Sequence, residues 1–269
     1  MIIEHFTHGC IPLFLEFAAA EGWISSEWEL EFLLETFPEG CFSCRMGNRP
    51  VAFVTSIKYD KSGWIGNLVV AERMRGRGIG SSLMEKSMNA LFRAGAETVW
   101  LTASGQGKPI YERLGFVEID AVRRWKGNGT GGVNGNLRYI SLEMAVELDA
   151  LGWGETRKSL IEVTHGRGEM FGTEGAFLVL QGCGGFMQAG PWGCAVERDT
   201  ALLLDAALAR LERGLEVVLD VPERNGAAGS LLASRGFRVS GRTSLMYFGA
   251  EPLYCPDKIY ALGSMGSMG

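Results

Sequence analysis

The 269-residue sequence predicts an α/β fold of the mixed-sheet (α+β) kind, built as two tandem domains, each a mostly antiparallel mixed sheet flanked by helices. Three observations carry that prediction. Two hairpin patterns in series run into a strand, glycine turn, helix, strand crossover; a glycine-rich stretch interrupts the chain near its middle; and the second half repeats the first half's order of elements.

Taken in order, residues 1–6 are a short apolar segment, and residues 11–20 and 25–36 carry helical spacing, with Ser26 and Glu29 placed as a capping box. Residues 41–46, 51–59 and 64–70 read as strands separated by Gly47-Asn48 and Asp60-Lys61-Ser62-Gly63, which makes an antiparallel meander. From residue 79 to 94 the apolar positions Leu83, Met84, Met88, Leu91 and Phe92 fall on one helical face, and Gly95 closes the helix. Residues 99–102 form a short buried strand, 109–114 a short helix opened by Pro109, and 116–125 a further strand. Residues 127–136 are mostly glycine and asparagine with almost nothing to bury. The expected division is therefore a first domain at 1–126, a linker at 127–136 and a second domain at 137–269.

The repeat supports this division. Residues 91–116 align with residues 211–237, and both stretches end in a helix running into Gly-Phe, at Phe116 and Phe237. Upstream, residues 176–180 and 185–189 read as strands, and 199–213 as a helix with Leu203, Leu204, Ala207, Leu208 and Leu211 on its apolar side. The terminal residues 264–269, rich in glycine and serine, are expected to be loose.

Composition narrows the function. A formal charge of −5 without a basic run lacks the footprint of nucleic-acid binding. No apolar run reaches the roughly 20 residues needed to cross a bilayer, so no membrane partner is expected. The six cysteines have no framework spacing and no signal-peptide pattern opens the chain, which predicts a cytoplasmic protein. Cys41 and Cys44 form a lone CxxC with no second pair, and the histidines are His5, His8 and His165, so no metal site is expected.

Residues 69–82 carry the chemistry. A helix start leaves its first N–H groups unpaired and partly positive, and Gly76, Gly78 and Gly80 bare that backbone to an anion, with Arg73, Arg75 and Arg77 beside it. A Walker loop would need a lysine after the last glycine, where Ser81-Ser82 stand; a dinucleotide fingerprint would need different glycine spacing and an acidic residue ending the next strand.

The pattern Arg75-x-x-Gly78-x-Gly80 resembles the pyrophosphate-binding motif of the GNAT acetyltransferases, and Tyr111-Glu112-Arg113-Leu114-Gly115-Phe116 resembles that family's Tyr-Glu-x-x-Gly-Phe signature. The resemblance covers nearly all of residues 1–126 and makes both halves GNAT-like. It implies acetyl-CoA, or another short acyl-CoA, as co-substrate and an amine acceptor, either a small molecule or a peptide or protein. Backbone groups of Gly76, Arg77, Gly78, Ile79, Gly80 and Ser81 would hold the pyrophosphate, with Arg75 as a possible side-chain contact. Leu68, Val69 and Val70 would hold pantetheine and supply the oxyanion donor. Ser104 stands where the family often has an asparagine that contacts the cofactor. Tyr111 would protonate the departing thiolate, its ordinary pKa near 10 keeping it protonated at neutral pH.

The general base stays open among Glu27, Glu29 and Asp60, because Asn67 occupies a strand position that is acidic in some relatives. A non-catalytic acyl-CoA-binding module shares the cradle and is the alternative. In the second half residues 190–199 lead into the helix without the cradle, Glu197 and Asp199 would repel phosphate, and Leu232 stands at the Tyr111 position, so one active site is expected, in the first domain. Residues 149–157, with Trp153, are a candidate acceptor-facing loop. A monomer and a homodimer fit equally.

Overall fold

The computed structural model describes residues 1–132 and 139–269, which form one twelve-stranded sheet with helices packed on it. The first half contributes β1 (Ile2–His5), α1 (Ile11–Ala20), α2 (Glu27–Thr36), β2 (Phe42–Met46), β3 (Arg49–Lys58), β4 (Ser62–Val70), α3 (Ile79–Arg93), β5 (Thr98–Ala103), α4 (Lys108–Arg113) and β6 (Val117–Asn128). The second contributes α5 (Leu142–Trp153), α6 (Lys158–Arg167), β7 (Gly168–Gly172), β8 (Ala176–Gly182), β9 (Met187–Cys194), α7 (Arg198–Arg210), β10 (Glu216–Pro222), α8 (Gly226–Ser234), β11 (Arg238–Gly249) and β12 (Ile259–Ala261).

The two halves do not keep separate sheets. Strand order runs β1-β2-β3-β4-β5-β11-β6-β10-β9-β8-β7, so each half lends its last long strand to the other. β11 pairs antiparallel with β5 (Ser244 opposite Ala103, Gly249 opposite Thr98), while β6 pairs antiparallel with β10 (Asn128 opposite Glu216, Val122 opposite Pro222). Burial follows the exchange: Met246 of β11 is fully enclosed in the first half's core with Leu83, Leu91 and Val99, and Trp125 of β6 lies in the second half's core with Leu204 and Leu219. β6 runs two residues into the stretch read as a linker, and Gly129 and Thr130 hydrogen-bond Leu215 and Leu208 of the second half. The rest of that linker, residues 133–138, lies outside the described residues.

The repeat is geometric as well as textual. Phe116 N–H donates to Tyr111 O and Phe237 N–H to Leu232 O, each after a glycine of positive φ, Gly115 and Gly236. Among the described residues the only parallel pairings fall at equivalent places and are short. β4 meets β5 over Ser62–Trp64 before the strands diverge, and β10 meets β9 at Val217 and Val218 alone. Each half thus contains one gap between splayed strands.

Four expectations require correction. Ser26 makes no side-chain cap on α2, and the Glu29 side chain is turned toward Asn67 and Ser267 and not back along the helix. Residues 190–194 are the end of β9 and not a lead-in to a helix, which begins only at Arg198. The 149–157 loop faces inward: Arg157 and Asp149, 2% and 4% exposed, form a two-pronged ion pair at 2.7 and 2.9 Å, and Trp153 packs edge-on against Trp64 and Trp100. Asp149 and Arg157 are spent on each other and the Glu155 carboxylate accepts from the Lys61 and Ser62 N–H groups, which removes the segment as an acceptor-facing surface. Finally, residues 264–269 are not loose. Ser264, Ser267 and Met268 are buried, and backbone carbonyls of the segment accept hydrogen bonds from Tyr59, Trp64 and Arg124.

Candidate active site

A cleft of about 1170 Å³ begins at the glycine segment and follows the gap between β4 and β5. At its outer end Gly76 and Gly78 both adopt left-handed backbone conformations, with φ of 74° and 77°. This is the region where a side chain is disfavoured and glycine is not. Gly78 is the N-terminal cap of α3 and brings no side chain to it. The first backbone bond of α3 runs from Ser82 N–H to Gly78 O, so the amides of Ile79, Gly80 and Ser81 have no helical partner and open on the cleft. A diphosphate fits such a row of donors at the positive end of a fifteen-residue helix.

A Cβ at Gly78 would meet no atom within 4 Å, so conformation alone, and not space, demands glycine there. Gly78→Ala is accordingly expected to cost about 1–2 kcal/mol in the left-handed region. Acetyl-CoA affinity should fall with it, as calorimetric titration beside a melting curve will show.

Of the arginines, Arg75 lines the cleft but is already engaged: its Nε donates to Val70 O at 3.0 Å and its guanidinium pairs with Glu21. Arg73 and Arg77 are exposed and their side chains do not line the cleft, so Arg77 brings only its backbone to the turn. Ser104 also lines the cleft and uses its hydroxyl to accept from Gly107 N–H at 3.1 Å, closing the turn that starts α4.

Leu68, Val69 and Val70 form one wall of the cleft. Here β4 bulges, because Phe53 stands opposite Val69 and Thr55 opposite Gly66, leaving Asn67 and Leu68 facing the single residue Val54. The bulge sits at Asn67, whose φ of 57° is the one positive value among the described residues other than glycine. Asparagine tolerates that region better than most residues, and its Nδ2 is anchored on Thr55 Oγ1 at 3.0 Å. The bulge interrupts the regular β3–β4 ladder beside the cleft, where a free amide can act on a ligand.

Tyr111, on α4, lines the opposite wall, with its ring packed edge-on to Phe116 at 6.0 Å. Burial pushes its hydroxyl up to about 12, so it keeps its proton throughout the neutral range.

Glu29, one of three carboxylates sequence reasoning left open, enters the same cleft from α2. Burial pushes its carboxyl up to about 7; the Ser267 hydroxyl and the Asn67 amide beside it favour the charged form and pull back against that rise. Glu27 is exposed on the outer side of α2 and Asp60 is exposed in the β3–β4 turn, and neither lines the cleft. The signal that could have singled out Glu29 was its position on an apolar helix face beside the buried Leu30 and Leu33. The capping-box spacing concealed it.

In the second half the equivalent gap is filled by the chain itself. β12 pairs antiparallel with β9, Ile259 opposite Gly193 and Ala261 opposite Trp192, and Leu262 N–H donates to Asp220 O of β10 at 2.8 Å. Asn225 caps α8 by accepting from Ala228 N–H and donates to Ile259 O, both at 2.9 Å, so it holds β12 in place instead of facing a ligand. Leu232, at the Tyr111 position, is buried core.

A family model described as "Acetyltransferase (GNAT) family" matches residues 11–116, and one described as "Acetyltransferase (GNAT) domain" matches residues 145–261. The holothin acyltransferase of a Pseudoalteromonas species is 26% identical over 93% of this chain and 88% of its own. An uncharacterized N-acetyltransferase of Methanocaldococcus jannaschii is 29% identical over 37% of the chain; the match spans about half (49%) of that relative's length. Among solved structures, one from Pyrococcus horikoshii superposes with a TM-score of 0.83 at 22% identity, covering 97% of this chain and 93% of that one. A tandem GNAT protein from the clavulanic acid biosynthesis pathway gives 0.65 at 17% identity, covering 93% and 99%.

Proposed function

Since the chain belongs to the GNAT acetyltransferase family as a two-domain protein, one family domain in each half, we propose that it transfers an acetyl or other short acyl group from coenzyme A to a primary amine, at a single site in its first half. The observation that carries this reading is the convergence of a glycine cradle, a protonated tyrosine and a carboxyl raised to about 7 on one cleft. A cradle alone would suit a module that only binds acyl-CoA; a carboxyl whose pKa stands near the working pH suits proton abstraction as well.

Acyl-CoA supplies the thioester carbonyl and a thiol leaving group; the chain supplies everything else. The amides of Gly76 through Ser81 bind the diphosphate, and β4 lines the path of the pantetheine arm. The Glu29 carboxylate accepts a proton from the acceptor's nitrogen, so that a neutral amine forms the new C–N bond as the C–S bond breaks. A backbone N–H of the Leu68–Val70 stretch donates to the developing oxyanion. The Tyr111 hydroxyl gives its proton to the departing sulfur, the new amide nitrogen releases its remaining extra proton to solvent, from which Tyr111 is reprotonated, and Glu29 returns its proton to solvent. The mechanism is direct attack in a ternary complex.

Likeness to holothin acyltransferase along nearly the whole chain favours a small-molecule amine over a protein acceptor. The six free cysteines suit the reducing cytoplasm. No described helix is long and apolar enough to cross a membrane. The test is thiol release from acetyl-CoA with a panel of primary amines, read together with the mass of the acylated product. Turnover on at least one amine is expected; binding of coenzyme A with no turnover on any of them would favour the non-catalytic module.

A further inference from the structure

The terminal segment of the second half reaches into the first half's gap. After β12, residues 264–269 enter between β4 and β5, where Trp64 Nε1 donates to Gly266 O at 3.1 Å and the Tyr59 hydroxyl to Met268 O at 2.6 Å. The approach is so close that a Cβ at Gly66 would lie 2.6 Å from the Ser267 Cα, which accounts for glycine in the middle of β4. Positions along the cleft follow β4: Leu68 and Val70 lie beside Gly80 at the cradle, and Asn67 and Gly66 lie deeper, beside Glu29 and Ser267.

Ser267 is 6% exposed, lines the cleft and has no well-formed hydrogen bond for its hydroxyl among the described residues. Buried hydroxyls are normally satisfied, so an orphan facing a cleft points to a ligand donor. Asn67 donates from its amide nitrogen to Thr55 Oγ1 and stands beside the Glu29 carboxylate, whose charged form it favours. The Glu29 carboxylate and the Ser267 hydroxyl are therefore neighbouring acceptors on the wall of the cleft, with the Asn67 side chain beside them. A primary ammonium carries three donors.

We propose that Ser267 positions the acceptor's amine against the Glu29 carboxylate, so that the second half completes the acceptor subsite of the first. This rests on the reading of Glu29 as the base. It gives the second half a direct part in the site while its own gap is closed. The titratable group facing Glu29 from the second half is the Cys183 thiol, itself held neutral by burial and by the charge of Glu29.

The test is carbon-13 NMR of the full chain labelled at glutamate carboxyls, with the Glu29 signal identified by its loss in Glu29→Gln and propylamine as the amine probe. In wild type the signal should titrate near 7 and move to lower pH as propylamine binds. In Ser267→Ala the midpoint should rise, and propylamine should bind about tenfold more weakly for the loss of one charge-assisted hydrogen bond, with the melting temperature and acetyl-CoA affinity unchanged. Equal propylamine affinity in the two proteins, including no binding to either, overturns the proposal. A wild-type midpoint in the ordinary carboxylate range would instead overturn the reading of Glu29 as base. A fall in melting temperature and acetyl-CoA affinity with propylamine affinity intact would make Ser267 merely structural and also overturns it.

Discussion

Replacing Glu29 by glutamine is expected to lower kcat by about 10²–10³-fold, the usual share of a positioned general base, while the KM for acetyl-CoA stays near its wild-type value. Glutamine keeps the size and hydrogen-bonding reach of the side chain and loses only the ability to take a proton. The carboxyl stands near 7 because burial disfavours its charge. As the proposed base Glu29 would act only as its carboxylate, so wild-type kcat/KM should fall as pH drops through about 7 and level off above it. The glutamine variant should lose that limb along with the rate. Stability should move the other way. A carboxyl whose folded pKa is raised above its unfolded value stabilises the fold while protonated, and that contribution is lost as pH rises to about 7. At pH 8 Glu29→Gln should therefore melt no lower than wild type. Wild-type turnover in the variant, with the limb retained, would show that the proton goes elsewhere.

Tyr111→Phe is expected to lower kcat by roughly 10–100-fold, at the lower end of what a general acid supplies, again without weakening acetyl-CoA. The hydroxyl has no hydrogen-bond partner in the chain among the described residues, and the ring's contact with Phe116 is preserved by phenylalanine, so folding should not suffer. Raising the hydroxyl to about 12 secures the proton at every working pH, so no alkaline limb from Tyr111 should appear in the neutral range. The loss should shrink with an acyl donor whose thiol has a low pKa, because that leaving group needs no proton. A deficit equally large with such a donor would make Tyr111 a packing residue.

What the sequence made legible was local. Helical and strand periodicities placed the elements of the first half to within a few residues, and three glycines with an abrupt change from strand to helix located the cradle. Local pattern is blind to which sheet a strand joins. β6 reads as an ordinary strand of its own domain and the residues of β11 draw no reading at all, so only pairing across the two halves reveals the exchange. Glu29 was hidden for a similar reason: its partners lie 38 and 238 positions away, at Asn67 and Ser267, whereas the competing capping signature spans only the four residues from Ser26 to Glu29. The terminal segment misled because composition speaks for side chains. Its glycines and serines have little to bury, yet its backbone carbonyls are held by Trp64, Tyr59 and Arg124, side chains far from it along the chain.

On the proposed function, two related halves make one acyl-CoA site, because β12 closes the second gap and the glycine turn serves the first. Calorimetric titration of the full chain with acetyl-CoA tests it most directly. One equivalent bound per chain, weakened by Gly78→Ala, is the predicted result. Two equivalents per chain, or one equivalent whose affinity is untouched by Gly78→Ala, would contradict it.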